Sequence, residues 1–325
     1  MYGSMAAFAL RRLGASMVLI LIVLTLTFFL IHLAPGDPSL LIDEPDVSPE
    51  YRESMRAYWE LDKPIPVQYV LWLKSIIVRG DWGVSIEHRR PVAELLRDRI
   101  PATILLAGVG LILQYSLGLI LGIAAARRAG ARADHLLRAG SLMLYALPVF
   151  WTGLMALSLF SYRLHWLPGG LMHSIDAAKL GPAARMLDLA RHLLLPSLVL
   201  AAAATGATVR FTRNSLLEVL GHDYIRTARA KGLSERRVVW VHALRNAATP
   251  LIQLVGLSLP FLLSGSLVVE VVFSWPGMGR LAWESVLSRD YPVILATTAL
   301  SGILVVAGNL IADLSQAVLD PRVRE

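Results

Sequence analysis

The sequence predicts an all-α membrane protein with six transmembrane helices. Three observations carry that reading. The 325 residues are 55% hydrophobic, with a mean hydropathy of +0.58. Charged residues make up only 17%, against about 25% in soluble domains. Six stretches approach or exceed the roughly 20 apolar residues that a spanning helix needs.

The first stretch is Leu13–Leu33, behind Arg11 and Arg12. A secretory signal has an apolar core of about 7–15 residues and a small-residue cleavage site. This run is longer and leads into Ala34-Pro35-Gly36-Asp37-Pro38, so it reads as a retained span. The others are Ala102–Ala126, Leu136–Phe160, Leu193–Val209, Pro250–Phe273 and Val293–Leu314. The chain thus divides into a terminus 1–12, a first span 13–33, an external segment 34–100, a five-helix core 101–314 and a tail 315–325.

Six spans place both termini on one side, and Lys/Arg bias decides which. Segments 1–12, 127–138, 210–246 and 315–325 carry 16 Lys and Arg against 6 Asp and Glu. Segments 34–100, 161–192 and 274–291 carry 15 against 16 over a greater length. Both termini are therefore expected in the cytoplasm. The net charge of +7 follows from topology, which removes the case for nucleic acid. Absence of cysteine excludes disulfides, thiolate metal sites and cysteine nucleophiles.

Outside, Val67, Tyr69, Val70, Leu71, Trp72, Leu73 and Ile77 predict a short amphipathic helix after Pro66, closed by the turn Gly80-Asp81-Trp82-Gly83. Trp and Tyr suit the membrane interface, so this helix either lies on lipid or packs on the bundle. His165, His173 and His192 match no metal-ligand spacing and read as interfacial histidines.

The basic loop 213–246 has local structure of its own. Gly221 interrupts a helix, and Asp223 is placed to cap a short one from Tyr224 to Lys231. Gly232 suits the left-handed residue that ends it, and Lys231 suits the negative end of its dipole. Ser234 then caps a second helix with Glu235 in its first turn. Ala228 and Ala230 leave room for another surface, and Arg226, Arg229 and Lys231 offer charge to an acidic one. Two capped helices on rigid spans suit docking of a soluble partner; the plainer reading is a topology signal that meets anionic lipid.

At this point the residues carry a resemblance. The chain resembles the inner-membrane permease subunits of peptide and nickel ABC importers. Matching runs include Leu33-Ala34-Pro35-Gly36-Asp37-Pro38, Leu61-Asp62-Lys63-Pro64, Gly80-Asp81-Trp82-Gly83 and Pro148-Val149-Phe150-Trp151. They continue through Tyr224–Ser234, His242–Ala247, Glu270–Gly279, Arg289-Asp290-Tyr291-Pro292 and Asp320–Arg324. Aligned on Gly232, Arg226-Thr227-Ala228 fill the Glu-Ala-Ala slot of the importer coupling loop, while His242, Leu244 and Arg245 replace its Ile, Leu and Pro. Those departures resemble the peptide variant and speak against a sugar or amino-acid importer.

The resemblance implies a type I ABC importer permease fold in a bacterial inner membrane. Its ATPase-coupling residues would be Asp223, Tyr224, Arg226, Thr227, Ala228, Arg229, Ala230, Lys231 and Gly232. It implies a second permease subunit, two ATPase subunits that hold ATP and magnesium, and an extracytoplasmic substrate-binding protein. Membrane lipid surrounds the chain, and no cofactor is expected on it. No G-x-x-x-x-G-K-[ST] loop or nucleophile–base arrangement occurs, so no catalysis is expected.

Polar residues inside spans are candidates for the conduit. They are Gln114, Tyr145, Ser264, Gly265, Ser266 and Glu270. Glu270 either lines the entrance or is satisfied locally by Arg280, Arg289 or backbone amides. Asp313 and Asn309 sit near the opposite end of the last span, where Asp313 is expected to pair with an arginine. Gly118-x-x-x-Gly122 predicts close helix contact. Alternatives are an importer of nickel or a metal chelate, an ion-coupled secondary transporter, and a membrane scaffold. The second needs mid-membrane charges, whereas these carboxylates sit at span ends.

Overall fold

The computed structural model describes residues 5–33, 62–244 and 267–319, with isolated positions between. It is helical, and among the described residues the sole β feature is an isolated bridge between Val84 and Pro91. The elements are α1 (Met5–Leu33), α2 (Ile65–Lys74), α3 (Val92–Arg127), α4 (Arg132–Ala146), α5 (Val149–Ala156) and α6 (Pro182–Leu220). They continue as α7 (Asp223–Ala230), α8 (Glu235–Arg237), α9 (Leu267–Val272), α10 (Met278–Leu287) and α11 (Tyr291–Leu319). π-Helical turns extend α2 through Arg79, α5 through Arg163 and α8 through Ala243.

Among the described residues, α1, α3, α6 and α11 are long and apolar enough to cross a bilayer. The span expected at Pro250–Phe273 lies largely outside them; its described end, α9, is helical. The span expected at Leu136–Phe160 as one apolar run is two half-helices, α4 and the extended α5, meeting at 101°. Pro148 is the cause: it has no N–H for the preceding turn and disfavours helical geometry at Leu147, which is extended at ψ 135°. The other spans are longer than their apolar runs. α3 has 36 residues, beginning inside the segment assigned to 34–100, and α6 has 39.

The scaffold is the contact of α3 with α6. Gly118 and Gly122 lie buried against Thr208 and Thr212, as the small-residue spacing predicted. A Cβ on Gly122 would stand 2.6 Å from the Thr212 Cβ, so the backbones meet where side chains would hold them apart. Gly206 likewise rests on the carbonyl of Ser141 in α4. One apolar cluster joins α3, α5 and α6 around Phe273 and Trp275. Another ties the start of α3 to α10 and α11 through Val92, Leu95, Leu281 and Val293.

The amphipathic helix starts at Ile65, with Pro66 inside its first turn rather than before it, because the first-turn N–H groups need no helical acceptor. It packs on the bundle: the Tyr69 and Trp72 rings lie 5.3 and 5.4 Å from the ring of Phe28 on α1. The Tyr69 hydroxyl lies 2.6 Å from Thr25 Oγ1. Gly80, at φ +65°, ends it in a left-handed turn.

Gly122→Val is expected to cost about 1–3 kcal/mol by overpacking the α3–α6 contact. Thermal unfolding in detergent should show this loss, while Gly108→Ala, with no atom within 4 Å of its Cβ, should match or slightly exceed the parent value.

Candidate functional site

The loop 213–246 forms two short helices where the sequence placed them. α6 ends at Gly221, and α7 follows from Asp223. Asp223 is the first helical residue, not the cap. His222 holds the capping position through extended backbone, without a side-chain bond. The Asp223 carboxylate instead accepts from Arg226 at 3.2 Å and sits in the first turn, where the dipole favours it. Gly232, at φ +75°, closes α7, and Ser234 precedes α8 without bonding its amides.

Ile225 and Ala228 are buried in a cluster with Ile123 and Ala126 of α3, Leu216 of α6, and Val238, Val239 and Ala243 of the extended α8. The expectation that Ala228 opens space for a partner is therefore corrected. Ala228 is 8% exposed and faces the chain's own core, because Ile225 and Ala228 share the apolar side of α7. The outer face carries Tyr224, Arg226, Thr227, Ala230 and Lys231, all exposed. Arg229 donates to Glu235 at 2.6 Å and so ties α7 to α8. Tyr224 stacks on His222 and accepts from Asn246 at 2.7 Å. α7 thus shares an apolar cluster with the ends of α3 and α6.

A contact not read from the sequence braces this end. Arg213 of α6 makes a two-pronged pair with Asp134 of α4, at 2.7 and 2.6 Å. Asp134 is fully buried and also accepts from the Gly130 amide at 3.0 Å. Two charge-assisted bonds in fixed geometry hold α4 against α6. The acid and base lie 79 positions apart, so only packing reveals them.

Of the candidate conduit residues, those described (Gln114, Tyr145 and Glu270) are not brought together. Gln114 donates to Thr208 of α6 at 3.3 Å, inside the α3–α6 contact. Tyr145 is 51% exposed on α4, with the Arg210 guanidinium 6.0 Å above its ring. Ser264, Gly265 and Ser266 lie outside the described residues, as does the Asp313 side chain. Glu270 is wholly buried and accepts from Thr103 Oγ1 at 2.9 Å and from the Arg280 amide at 3.0 Å. Thr103 in turn accepts from the Met278 amide at 2.7 Å. Of the two roles weighed for Glu270, the geometry supports local satisfaction, by backbone amides rather than an arginine side chain. Its carboxylate sews α9 and α10 to α3 and does not face an entrance.

Two family models match the chain. The binding-protein-dependent transport system inner membrane component matches residues 118–325, and the N-terminal part of such membrane components matches residues 5–107. The chain belongs to this family. It is 41% identical to the oligopeptide transport system permease protein AppB of Bacillus subtilis, over 98% of this chain and 99% of that protein. It is 37% identical to the dipeptide transport system permease protein DppB of Escherichia coli K12, with the same coverage. It is 39% identical to the glutathione transport system permease protein GsiC of Salmonella paratyphi A, again with 98% and 99% covered. The chain is therefore a multi-pass membrane protein with the type I ABC permease fold.

In this permease, His173 and His192 of segment 161–192 make structural contacts, with His192 Nδ1 2.8 Å from the Asp188 carbonyl, while His165 is exposed. Asp188 accepts from the Ser174 amide at 3.0 Å and lies 3.1 Å from His173 Nδ1, pinning that segment to α6. Among the described residues no three His, Cys, Asp or Glu gather as metal ligands.

Glu270→Gln places an amide donor against backbone N–H groups and should cost about 2 kcal/mol. The expected readout is a lower unfolding temperature, with no change in substrate preference among surviving molecules. Asp134→Asn should cost about 2 kcal/mol by removing the charge that faces the partly buried Arg213 guanidinium. Adding Arg213→Met should recover part of that stability in the same unfolding assay.

Proposed function

We propose that this chain is the permease subunit of an ATP-driven importer of peptides, with both termini in the cytoplasm. The observation that supports the reading is α7, buried on one face against α3 and α6 and open on the other. A soluble ATPase binding the open face acts on two spans at once. ATP and magnesium belong to two such ATPase subunits, and a substrate-binding protein delivers peptide on the far side. A second permease subunit completes the conduit beside this one. Work passes by differential affinity, the ATPase favouring one arrangement of the helices in each nucleotide state.

Peptide is favoured over nickel because the relatives are named for oligopeptide, dipeptide and glutathione transport. Coupling is assigned to the outer face, Tyr224, Arg226, Thr227, Ala230 and Lys231, and less to Ala228.

Reconstitution with partner subunits in vesicles should give peptide uptake that requires ATP and the ATPase subunits. Uptake driven by an ion gradient alone would refute the proposal. Ala230→Asp, on the open face, should lower uptake and peptide-stimulated ATP hydrolysis about tenfold, equivalent to about 1.4 kcal/mol of interface energy. Its unfolding temperature should match the parent.

A further inference from the structure

At the end of the molecule opposite α7, a cavity of about 350 Å³ opens between α1, α2 and the start of α11. Phe28, Leu71, Trp72 and Leu295 give it apolar walls, with Trp82 and Tyr291 beside them. Lys74 and Arg79, one turn apart on the extended α2, also line it. Both are exposed, and neither pairs with a described acid. Asp81, the one acid among the described lining residues, accepts from the Gly83 amide at 2.9 Å. Along the same helix Val70, Ile77 and Val78 are 60–72% exposed, and α1 presents Leu26 and Leu30 outward. Apolar surface of this kind on a spanning bundle belongs in hydrocarbon, which sets α2 at the depth where aromatic rings and cations meet lipid headgroups.

We propose that this cavity holds one anionic phospholipid. Lys74 and Arg79 meet its phosphate and headgroup charge, and the aromatic wall takes the glycerol end of an acyl chain. Charge complementarity selects this occupant: among the described residues the lining sets two cations against one acid, beside an apolar floor. A zwitterionic lipid fills the floor but leaves net positive charge, and a soluble phosphate leaves the floor empty. The bound lipid stands where α2 leans on α1, and it makes that contact three-sided. The inference rests on the membrane reading of the chain, not on its transport cycle.

The test uses the full chain, with whatever subunits co-purify, delipidated in detergent and titrated with phosphatidylglycerol or phosphatidylcholine under native mass spectrometry. One phosphatidylglycerol should be retained in preference to phosphatidylcholine. The exposed pair Lys74→Gln and Arg79→Gln should weaken that retention roughly fivefold per cation, about thirtyfold together. Unfolding temperature without lipid should not change. A photoactivatable phosphatidylglycerol should label residues 65–83. Equal retention of both lipids, undiminished preference in the double variant, or labelling confined to other helices would each overturn the proposal. Displacement of the lipid by glycerol phosphate alone would also overturn it, assigning the site to a soluble phosphate.

Discussion

The close contact of α3 with α6 governs the rest of this permease. With 36 and 39 residues, these helices run about 54 and 58 Å at ~1.5 Å per residue, against a hydrocarbon core of about 30 Å. They therefore carry rigid helix beyond the bilayer on both sides. At one end their tips cradle α7; at the other, α3 anchors Glu270 and Trp275, whose indole donates to the Ala102 carbonyl at 2.8 Å. In lipid no hydrophobic effect presses helices together, so contact comes from van der Waals fit and buried polar bonds. Gly118 and Gly122 supply the first, and the Gln114–Thr208 bond contributes to the second.

Much of this was legible in the sequence because its cause is local. Hydrophobic length located α1, α3, α6 and α11, since each run had to satisfy its own backbone bonds in lipid. Gly221, Gly232 and Ser234 marked the limits of the loop helices, because a left-handed residue and an extended one are decided by neighbours in the chain. The small residues of α3 announced their contact, though not their partner. Full helix length did not show, because the polar ends of α3 and α6 continue as helix on packing rather than apolarity.

What stayed hidden depends on orientation and distance. Small size at Ala228 was visible, but which way it faced depended on Leu216 and Val238 arriving from other helices. Asp134 looked like one acid among basic neighbours until Arg213 lay beside it. Tyr115 and Ser258, 143 positions apart and 2.6 Å between their hydroxyls, are a further case. Glu270 was recognised as unusual, yet its donors come from Thr103 and Arg280, so only the fold chose between conduit and stitch. Pro148 was on the page throughout. Hydropathy ignores backbone geometry, and a run that is apolar across a proline reads as one span.

The division at Pro148 changes what α4 can do. It touches α6 at two fixed places: the Ser141 carbonyl against Gly206, and the Asp134–Arg213 pair two turns away. These contacts fix α4 along the flank of α6. α5 instead joins α3 and another stretch of α6 in the cluster around Phe273. The bend at Leu147 and Pro148 thus lets one continuous apolar run serve two layers, its first half fixed to α6 and its second turned by 101° into the cluster around Phe273.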